Sequence, residues 1–457
     1  MGRHRRGSRA RRPAAGWRRG LHWGGYTSAV VLLAALGVGV WAYQDLNSNI
    51  RGADVDAKLG DDRPANRSPG SKNILVVGSD SRDGANAAYG KSLATMQSDT
   101  LMLVHLPANR KWATAVSFPR DSWVRIPSCD RGDGTRSTAH HFKINEAFSL
   151  GGSTGDTGGA AACTIRTVES NTGLRVDHFV SLDFQGFKGM VDALGGIEVC
   201  PKRPIHDRKA HLDLAAGCQT IKGEKALGYV RTRYSVGDGS DIGRIGRQQE
   251  FMEALAEKAQ SKLTHPKALY GFLRSVTKSL TTDNSLAGME PLYGLASELK
   301  EIPGDRLTFL TVPNYPRQAD VPADRANVVW QFPQAAELFT ALARDEEVGR
   351  AEKERLDRAS RRPVYASSVR VRVLNGTDRP GRGADVAARI REVGFTVTET
   401  GNSPVDTRIT QVSYAEGMEE RAEQVASRLP GARAVREAGA PRGLVTVTVG
   451  EDFGGVR

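Results

Sequence analysis

Beyond its first 25 residues the sequence has little excess of charge of either sign. The whole chain of 457 residues carries a formal net charge of +12. Residues 1–25 contain eight arginines and no Asp, Glu or Lys, and 56 basic and 52 acidic residues remain without them. A nucleic-acid-binding surface needs positive charge spread along a patch or stripe. The distribution therefore excludes nucleic acid as the partner and indicates a short basic tail.

Charged residues are absent from Tyr26–Tyr43, which follows this tail. A helix of 18 residues is about 27 Å long, close to the thickness of a bilayer's hydrocarbon core. Tryptophan and tyrosine flank both ends, as in interfacial aromatic belts. With the basic tail before it and Asp45 after it, the run predicts a single-pass anchor in the cell membrane, with residues 1–25 cytoplasmic and the remainder extracytoplasmic. A cleaved signal peptide is the alternative, but no small-x-small site follows the run.

Cysteine is rare, and the sequence has no CxxC pair, which argues against a structural zinc site. All four cysteines lie on the predicted outward side, where thiols oxidise. Among the three pairings that four cysteines allow, we favour the local ones, Cys129–Cys163 and Cys200–Cys218. The second pair closes a loop of about 19 residues, which is worth roughly 3 kcal/mol in the chain-entropy description.

The patterning contains no internal repeat and divides the chain into segments. Residues 44–71 are polar and lack an apolar period, which predicts a tether between the membrane and the first domain. Apolar strands alternate with helical patterns over 72–340 and predict an α/β fold whose sheet is sandwiched by helices. Residues 341–366 predict a charged, solvated linker helix. A small α/β domain over 367–452 follows, beginning with the alternating strand VRVRV.

Polar side chains collect at the ends of three predicted strands. Asp80 and Arg82 follow the first strand, Asp99 lies at the start of the second, and Arg120 follows the third. In open α/β sheets, ligands bind outside the carboxyl ends of the strands. The sequence therefore predicts that Asp80, Arg82 and Arg120 line one cleft.

A second polar set lies further along the chain. Arg231 and Arg233 are two residues apart, and in an extended segment they would point to the same side. The next helical pattern presents three polar residues on one face at i, i+3 and i+7: Asp241, Arg244 and Gln248. The start of this helix also offers backbone donors to an anion.

Taken one at a time, such arginines are usually solvated or salt-bridged, so the set carries the prediction. Two guanidinium groups about 4 Å apart repel by about 4 kcal/mol at an effective dielectric constant near 20. A multiply charged anion removes this cost, and planar guanidinium groups match phosphate oxygens. The predicted phosphate-binding set comprises six arginines: Arg82, Arg120, Arg231, Arg233, Arg244 and Arg247.

The order of these motifs resembles that of the LytR-CpsA-Psr family. The resemblance covers about residues 72–340 and rests on separated stretches that occur in the family's order: NILVVGSDSR, SDTLMLVHL, SFPRDSWVRIP, KINEAFSLGG, VDHFVSLDFQGFKGMVDALGGIEV and LGYVRTRYS with DIGRIGRQQ. The C-terminal unit, which begins VRVLNGT, resembles a domain often appended to these proteins.

This resemblance implies a phosphotransferase that moves an anionic or secondary glycopolymer, such as a teichoic acid, from a polyprenyl-pyrophosphate carrier onto peptidoglycan through a phosphodiester bond. It implies a mixed sheet and a hydrophobic tunnel for the prenyl chain. By motif, Asp80 and Asp99 would hold Mg²⁺, with Mn²⁺ as the alternative ion. The resemblance assigns catalysis and pyrophosphate binding to six residues: Arg120, Arg231, Arg233, Arg244, Asp241 and Gln248. Arg82 and Arg247 are added from spacing alone.

One position departs from the family's pattern, because Gln97 stands where many members carry arginine. We therefore assign Gln97 no phosphate role. No residue stands out in the sequence as the general base. Two alternative functions stay open: a polyprenyl-pyrophosphate pyrophosphatase, in which water replaces the acceptor hydroxyl, and a non-catalytic wall-binding or regulatory membrane anchor. The complete set of arginines and aspartates argues against the second.

Overall fold

The computed structural model describes residues 36–79, 98–208, 210–232, 241–262, 266–361 and 363–457 of the chain. These residues form two α/β units, each with its own sheet and its own buried apolar cluster. We refer to them as the first unit and the C-terminal unit.

A seven-stranded sheet forms the centre of the first unit. In spatial order its strands are β1 (Arg51–Ala53), β12 (Leu280–Asp283), β7 (His178–Asp183), β2 (Lys72–Ser79), β3 (Ser98–Leu106), β4 (Ala113–Phe118) and β13 (Leu307–Thr311). Strand β3 is antiparallel to both β2 and β4, whereas β7 is parallel to β2 and β13 is parallel to β4. The sheet is therefore mixed, and the prediction of an α/β fold with a mixed sheet is confirmed.

Helices flank this sheet. They are α1 (36–49), α2 (Asp56–Leu59), α3 (Glu146–Gly151), α4 (Thr157–Thr172), α5 (Phe184–Ala193), α6 (Gly223–Arg231), α7 (Asp241–Lys262), α8 (Pro266–Lys278), α9 (Met289–Lys300), α10 (Gln334–Ala343) and α11 (Arg350–Ser360). Local sequence sets the ends of α4, because Asp156 caps the amide of Gly158 and Gly173 adopts a left-handed conformation after the last turn.

The two faces of the central sheet differ in how completely they are covered. On one face Leu75, Val77 and Val116 are fully buried against α4 and α10. On the other face α9 contributes Leu295, but Val76 and Val104 stay only half-buried. We call this second surface the open face.

Within the described residues of the first unit, four two-stranded ribbons lie outside the central sheet. They pair β5 (Trp123–Ile126) with β6 (His140–Lys143), β8 (Ile197–Val199) with β11 (Gln219–Ile221), β9 (Ile205–Asp207) with β10 (Leu212–Leu214), and β14 (Asn314–Pro316) with β15 (Val328–Trp330). The β8–β11 and β9–β10 ribbons pack with α5, α6 and α7 around a separate apolar cluster that includes Tyr229 and Phe251.

The C-terminal unit contains a five-stranded sheet. Its strands in spatial order are β17 (Thr396–Asn402), β16 (Arg370–Asn375), β20 (Val445–Val449), β18 (Gln411–Tyr414) and β19 (Arg433–Arg436), with helices α12 (Arg382–Glu392) and α13 (Glu419–Arg428). Val371 and Val373 are fully buried while Arg370 is exposed, as the alternation in VRVRV predicts.

Both predicted disulfides are confirmed. Cys129 is bonded to Cys163 with an S–S distance of 2.06 Å, and Cys200 to Cys218 with 2.07 Å. The first bond joins the segment after β5 to α4, and the second closes the loop that carries the β9–β10 ribbon.

The prediction of a polar tether over residues 44–71 is wrong. Strand β1 pairs with β12, and Val55 and Leu59 are buried in the core of the first unit. Arg63 also reaches α4, where its Nη2 lies 2.6 Å from Oε1 of the buried Glu169. Each apolar residue of the segment fills a separate space in the unit, so the sequence shows no period although the segment is packed.

The charged helix predicted within 341–366 is present as α11, and most of its side chains are exposed. It is not a free linker, because Leu356 and the preceding Val348 are buried in the core of the first unit. One apolar residue per few turns is enough to attach such a helix, and its charge dominates the sequence pattern.

The predicted membrane segment lies only partly within the described residues. Residues 36–43 belong to α1, in which Leu36 is 64% exposed, and residues 26–35 lie outside the described part. None of the helices in the described ranges combines the length and the apolar character needed to span a membrane.

Candidate functional site

Three neighbouring strands bring predicted site residues to one edge of the central sheet. Strand β2 ends at Ser79, directly before Asp80, and Ser79 is the register partner of Ser98 at the start of β3. Asp99 is therefore in β3 close to where β2 ends. Strand β4 runs antiparallel to β3 and ends at Phe118 at the same edge. We call this edge the site edge.

Arg120 lies two residues beyond β4 and thus at the site edge. Its side chain is about one-fifth exposed, and its Nε lies 3.8 Å from Oδ2 of Asp121. The neighbouring carboxylate is shared, because Nζ of Lys143 lies only 2.6 Å from Oδ1 of Asp121. Asp121 is therefore shared between two cations, Arg120 and Lys143.

The Arg120 loop, residues 119–122, is held by the β5–β6 and β14–β15 ribbons. The amide of Val328 donates to the carbonyl of Asp121 at 3.0 Å, and Nε1 of Trp330 donates to Oγ of Ser122 at 3.0 Å. The amide of Ile144, next to β6, donates to the carbonyl of Ser122 at 2.8 Å. Asp121 and Ser122 thus fix the loop, and the fixed loop sets the position of the Arg120 backbone.

Strand β7 adds a second arginine to this edge. Its last residue, Asp183, is the register partner of Ser79 and caps α5 by accepting the amide of Gly186 at 2.8 Å. The first residue of α5, Phe184, lies under Arg231, with 4.8 Å from Cζ to the ring centroid. A cation over an aromatic face is attracted by the ring quadrupole, and this contact places Arg231 beside the end of β7.

Arg231 is the last residue of α6, and Thr232 is the first extended residue after it. The prediction that Arg231 and Arg233 share one side of an extended segment is therefore wrong in its premise, because the helix continues through Arg231. Buried Ala226 and Tyr229 pack α6 onto the apolar cluster, so the helix is part of that core up to its last turn. Arg233 lies outside the described residues.

The chain after Arg231 is fixed by a buried polar network. The hydroxyl of Thr232, fully buried, donates to Oδ2 of Asp207 at 2.6 Å. Nη2 of Arg247 in α7 donates to the carbonyl of Thr232 at 2.7 Å, and the Arg247 residue is 8% exposed. Burial lowers the pKa of the Arg247 guanidinium, and Asp207 and Glu250 partly offset this. Arg247 thus holds the exit of α6, while its predicted phosphate contact stays a prediction.

The order of the strands at the site edge is informative. Strands β2 and β3, which lead to Asp80 and carry Asp99, lie between β7 and β4. Neighbouring strands are about 4.8 Å apart, so β7 and β4 are roughly 14 Å apart. Arg231 and Arg120 therefore flank the two strands associated with the predicted metal ligands.

The remaining predicted site residues are placed only in part. Asp80, Arg82 and Arg233 lie outside the described residues, and Gln97 does as well. For four others the structure describes the backbone, in β3 or in α7, and not the side chain: Asp99, Asp241, Arg244 and Gln248. Their roles as metal, catalytic or phosphate ligands stay predictions.

Sequence reasoning missed several residues that build the site. Asp183 has a recognisable signal, since an aspartate between a strand and a helical pattern is a typical N-cap. Phe184 and Asp207 have none, because their contacts with Arg231 and Thr232 join residues 47 and 25 positions apart in the sequence. Only the tertiary fold brings these partners together.

The open face adjoins the site edge. It presents half-buried apolar side chains from neighbouring strands: Val76, Val104, Val180 and Leu307. At its β13 end a cavity of about 630 Å³ is lined by Leu307 and Phe309 and by charged residues of α7 and α11, such as Glu253 and Lys353. An apolar surface of this kind, continuous with a polar edge, fits an amphiphilic ligand better than a wholly polar one.

The fold and this edge define a class: an α/β protein whose mixed sheet ends in arginines beside an incompletely covered apolar face. A sequence profile of the LytR_cpsA_psr family matches residues 42–343, about two-thirds of the chain. The chain therefore belongs to the LytR-CpsA-Psr family. A second profile, described as LytR cell envelope-related transcriptional attenuator, matches residues 368–453 in the C-terminal unit.

Three named relatives illustrate the similarity. The probable cell wall biosynthesis protein LcpB of Corynebacterium glutamicum is 37% identical over 51% of this chain and 50% of its own length. The cell wall biosynthesis protein LcpA of the same organism is 29% identical over 94% of this chain and 86% of its own. The polyisoprenyl-teichoic acid–peptidoglycan teichoic acid transferase TagT of Bacillus subtilis is 30% identical over 61% and 82%. The chain thus spans half the length of LcpB and most of LcpA and TagT.

Proposed function

We propose that this protein transfers a glycopolymer, through a phosphodiester bond, from a polyprenyl-pyrophosphate carrier onto peptidoglycan at the outer surface of the cell membrane. Family membership and the transferase name of a relative support the reaction class. The observation that carries the proposal is the site edge, where Arg231 and Arg120 flank the strands leading to Asp80 and Asp99.

Arginines on both sides of the edge suit a diphosphate. Each guanidinium offers several N–H donors in one plane, so two of them can hold the non-bridging oxygens of neighbouring phosphates. Phe184 orients Arg231 without neutralising it, since an aromatic ring carries no net charge. Cations held in place in this way stabilise charge that develops in the transition state, where such preorganised groups contribute most.

Two carboxylates that follow each other across adjacent strands would suit a bound Mg²⁺. Ser79 and Ser98 are register partners, so β2 ends directly before Asp80 beside the start of β3, which carries Asp99. Carboxylates with retained waters and phosphate oxygens are the ligands that Mg²⁺ prefers. We therefore assign Asp80 and Asp99 as its ligands, with Mn²⁺ as the alternative ion. The bound ion would supply further positive charge to the phosphate oxygens.

The reaction exchanges one P–O bond for another. A hydroxyl of peptidoglycan, expected to be C6–OH of a muramic acid residue, attacks the phosphorus that carries the sugar. The bond from that phosphorus to the bridging oxygen breaks and releases polyprenyl phosphate, and the hydroxyl proton passes to solvent or to a carboxylate at the edge. Arg120, Arg231, Arg233 and Arg244 are assigned to the phosphates, Arg82 and Arg247 as additional contacts, and Asp241 and Gln248 complete the site.

The prenyl chain would lie on the open face. Val76, Val104 and Val180 are half-buried on strands that end or begin at the site edge, so a chain in contact with them starts close to the arginines. Burying apolar surface stabilises the complex by about 25 cal/mol per Å². The carrier lipid would thereby hold its pyrophosphate at the edge.

The decisive experiment supplies both substrates. Purified full-length protein with Mg²⁺ would receive a polyprenyl-pyrophosphate-linked glycan and peptidoglycan oligomers, and mass spectrometry would detect glycan joined to muropeptide by phosphodiester. We expect product with the wild type and none with Arg120→Ala or Arg231→Ala. Arg358→Ala, which removes an exposed arginine of α11, is the matched control and should retain activity.

The other outcomes separate the alternatives. Release of polyprenyl phosphate without joined product would identify a pyrophosphatase. Binding of peptidoglycan with neither product would indicate a non-catalytic anchor. Wild-type rates in both arginine variants would refute the assignment of the site edge.

A further inference from the structure

The C-terminal unit is docked on the first unit through a buried arginine. Arg428, at the end of α13, is 4% exposed, and its Nη2 donates to the carbonyl of Trp330 in β15 at 3.1 Å. Its Cζ lies 4.4 Å from the centroid of the Phe332 ring. Burial lowers the pKa of Arg428, while nearby Asp320 and Tyr315 of the first unit counteract this. A buried cation needs such partners. Arg428 therefore depends on acceptors that belong to the first unit.

A second contact joins the end of α12 to the β5–β6 ribbon. Oε1 of Glu392 lies 2.9 Å from Nδ1 of His141 in β6, and that imidazole is 7% exposed. The carbonyl of Glu392 accepts from Nη2 of Arg317 at 3.0 Å. Arg317 also lies over the ring of Trp123 in β5, with 4.4 Å from Cζ to the centroid. The end of α12 therefore contacts both strands of this ribbon, directly and through Arg317.

These two contacts fall on the elements that hold the Arg120 loop. Trp330, whose carbonyl Arg428 occupies, donates through Nε1 to Ser122. His141 lies two residues before Lys143, which pairs with Asp121. Each route from the C-terminal unit thus reaches one of the two residues that follow Arg120, Asp121 or Ser122.

We propose that the C-terminal unit positions the pyrophosphate-binding Arg120, and that Glu392 and Arg428 are its positioning residues. The inference rests on the proposed function, because it assigns the docked unit a task in that reaction. The unit does so by clamping the β5–β6 and β14–β15 ribbons against residues 121 and 122. Small displacements of a binding group are costly in catalysis, since a shift of about 1 Å can lower a rate by up to about a hundredfold.

The test compares variants of the full-length protein. Glu392→Gln removes the charge facing His141 and keeps the backbone carbonyl that Arg317 uses, whereas Arg428→Met removes the contact to Trp330. Asp385→Asn is the control, because it changes an exposed carboxylate on the same helix, which pairs with Arg389 one turn further along. Hydrolysis of geranyl pyrophosphate with Mg²⁺ reports kcat and KM, and hydrogen exchange reports residues 119–126.

We expect kcat/KM to fall roughly tenfold in Glu392→Gln and in Arg428→Met, with faster exchange over residues 119–126, and neither change in Asp385→Asn. A double-mutant cycle separates positioning from general destabilisation. In an Arg120→Lys background, which lacks the guanidinium fork, Glu392→Gln should have little further effect. If Arg428→Met folds poorly, the cycle of Glu392→Gln with Arg120→Lys alone tests whether the C-terminal unit positions Arg120.

Several results would overturn the inference. Equal losses from Glu392→Gln in the wild-type and Arg120→Lys backgrounds would show that Arg120 is not the target. Unchanged hydrogen exchange over residues 119–126 would show that the C-terminal unit does not hold this loop. Unchanged kcat/KM despite faster exchange would show that the position of the loop does not affect turnover. A wild-type protein that forms no joined product with the polyprenyl-pyrophosphate-linked glycan and peptidoglycan oligomers refutes the proposed function instead, and the exchange measurement then still decides whether the C-terminal unit holds this loop.

Discussion

Arg231 owes its position to one aromatic side chain. Its guanidinium lies over Phe184, and that ring follows Asp183, whose register partner Ser79 precedes Asp80. A planar cation can stack on a ring and still direct its N–H groups outward. The contact therefore links a distant helix to the predicted metal ligands.

Replacing Arg231 with lysine should show that shape matters as well as charge. Arg231→Lys keeps the positive charge and loses the planar group, so we expect roughly a tenfold to hundredfold lower kcat/KM for geranyl pyrophosphate. Circular dichroism and the midpoint of urea unfolding should match the wild type. Full activity in this variant would mean that a point charge suffices and that stacking on Phe184 has no catalytic consequence.

A second residue, Asp283, is expected to make stability depend on pH. Burial alone would raise its pKa, but hydrogen bonds from His178, Ser285 and the amide of Phe179 together lower it below the ordinary value of 3.8. A carboxyl group with a depressed folded-state pKa contributes stability that is present above the unfolded value and is lost as the pH falls through the folded value. Its contribution should therefore disappear below about pH 4.

The measurement is urea unfolding of wild type and Asp283→Asn across this range. At pH 7 the variant should be less stable by about 1–3 kcal/mol, because buried donors lose their charged acceptor. The difference should shrink as the pH falls below about 4. A difference that is constant with pH would show that ionisation of Asp283 does not stabilise the fold.

At the scale of elements, residues 44–71 behave as part of the first unit. Strand β1 extends the central sheet, and Arg63 forms a buried pair with Glu169, whose exposure is 3%. Oε1 of Glu169 also accepts the amide of Val176 at 2.9 Å. The segment therefore ties the end of α4 to the start of β7.

Arg63→Ala tests this packing. Removing one partner of a buried ion pair leaves an uncompensated charge and costs about 3–5 kcal/mol. We expect urea unfolding to show a loss of that order, and Arg67→Ala, which changes an exposed arginine of the same segment, to lose under about 0.5 kcal/mol. Equal stability of both variants would instead support the prediction that residues 44–71 form a flexible tether.

At the scale of the whole molecule, the uncharged run Tyr26–Tyr43 predicts where the protein acts. Carbonate extraction should leave the full-length protein in the membrane fraction, and a chain that begins at Gln44 should appear in the supernatant with its hydrolytic activity intact. N-terminal sequencing of the full-length protein from cells provides the control. A mature protein that starts after Tyr43 would identify a cleaved signal peptide and refute the prediction of an uncleaved membrane anchor.

Local sequence determined much of this protein. Strands β2, β3 and β4 follow runs of apolar and β-branched residues, and α4, α5 and α12 begin or end near the residues that pattern and capping predict. The motifs were sufficient to identify the family, and chain separation was sufficient to pair the cysteines. Each of these features depends on residues that are close in sequence or on a pattern that repeats over a few turns.

Only the tertiary structure decided the packing of residues 44–71, the helical state of Arg231 and the docking of Arg428 on β15. In each case a few side chains fill spaces formed by residues far away in the chain, so no local period reports them. Their conformations follow from burial and from pairing of polar groups in the complete fold. For the same reason, the sequence predicted which residues form the site edge better than it predicted what holds them there.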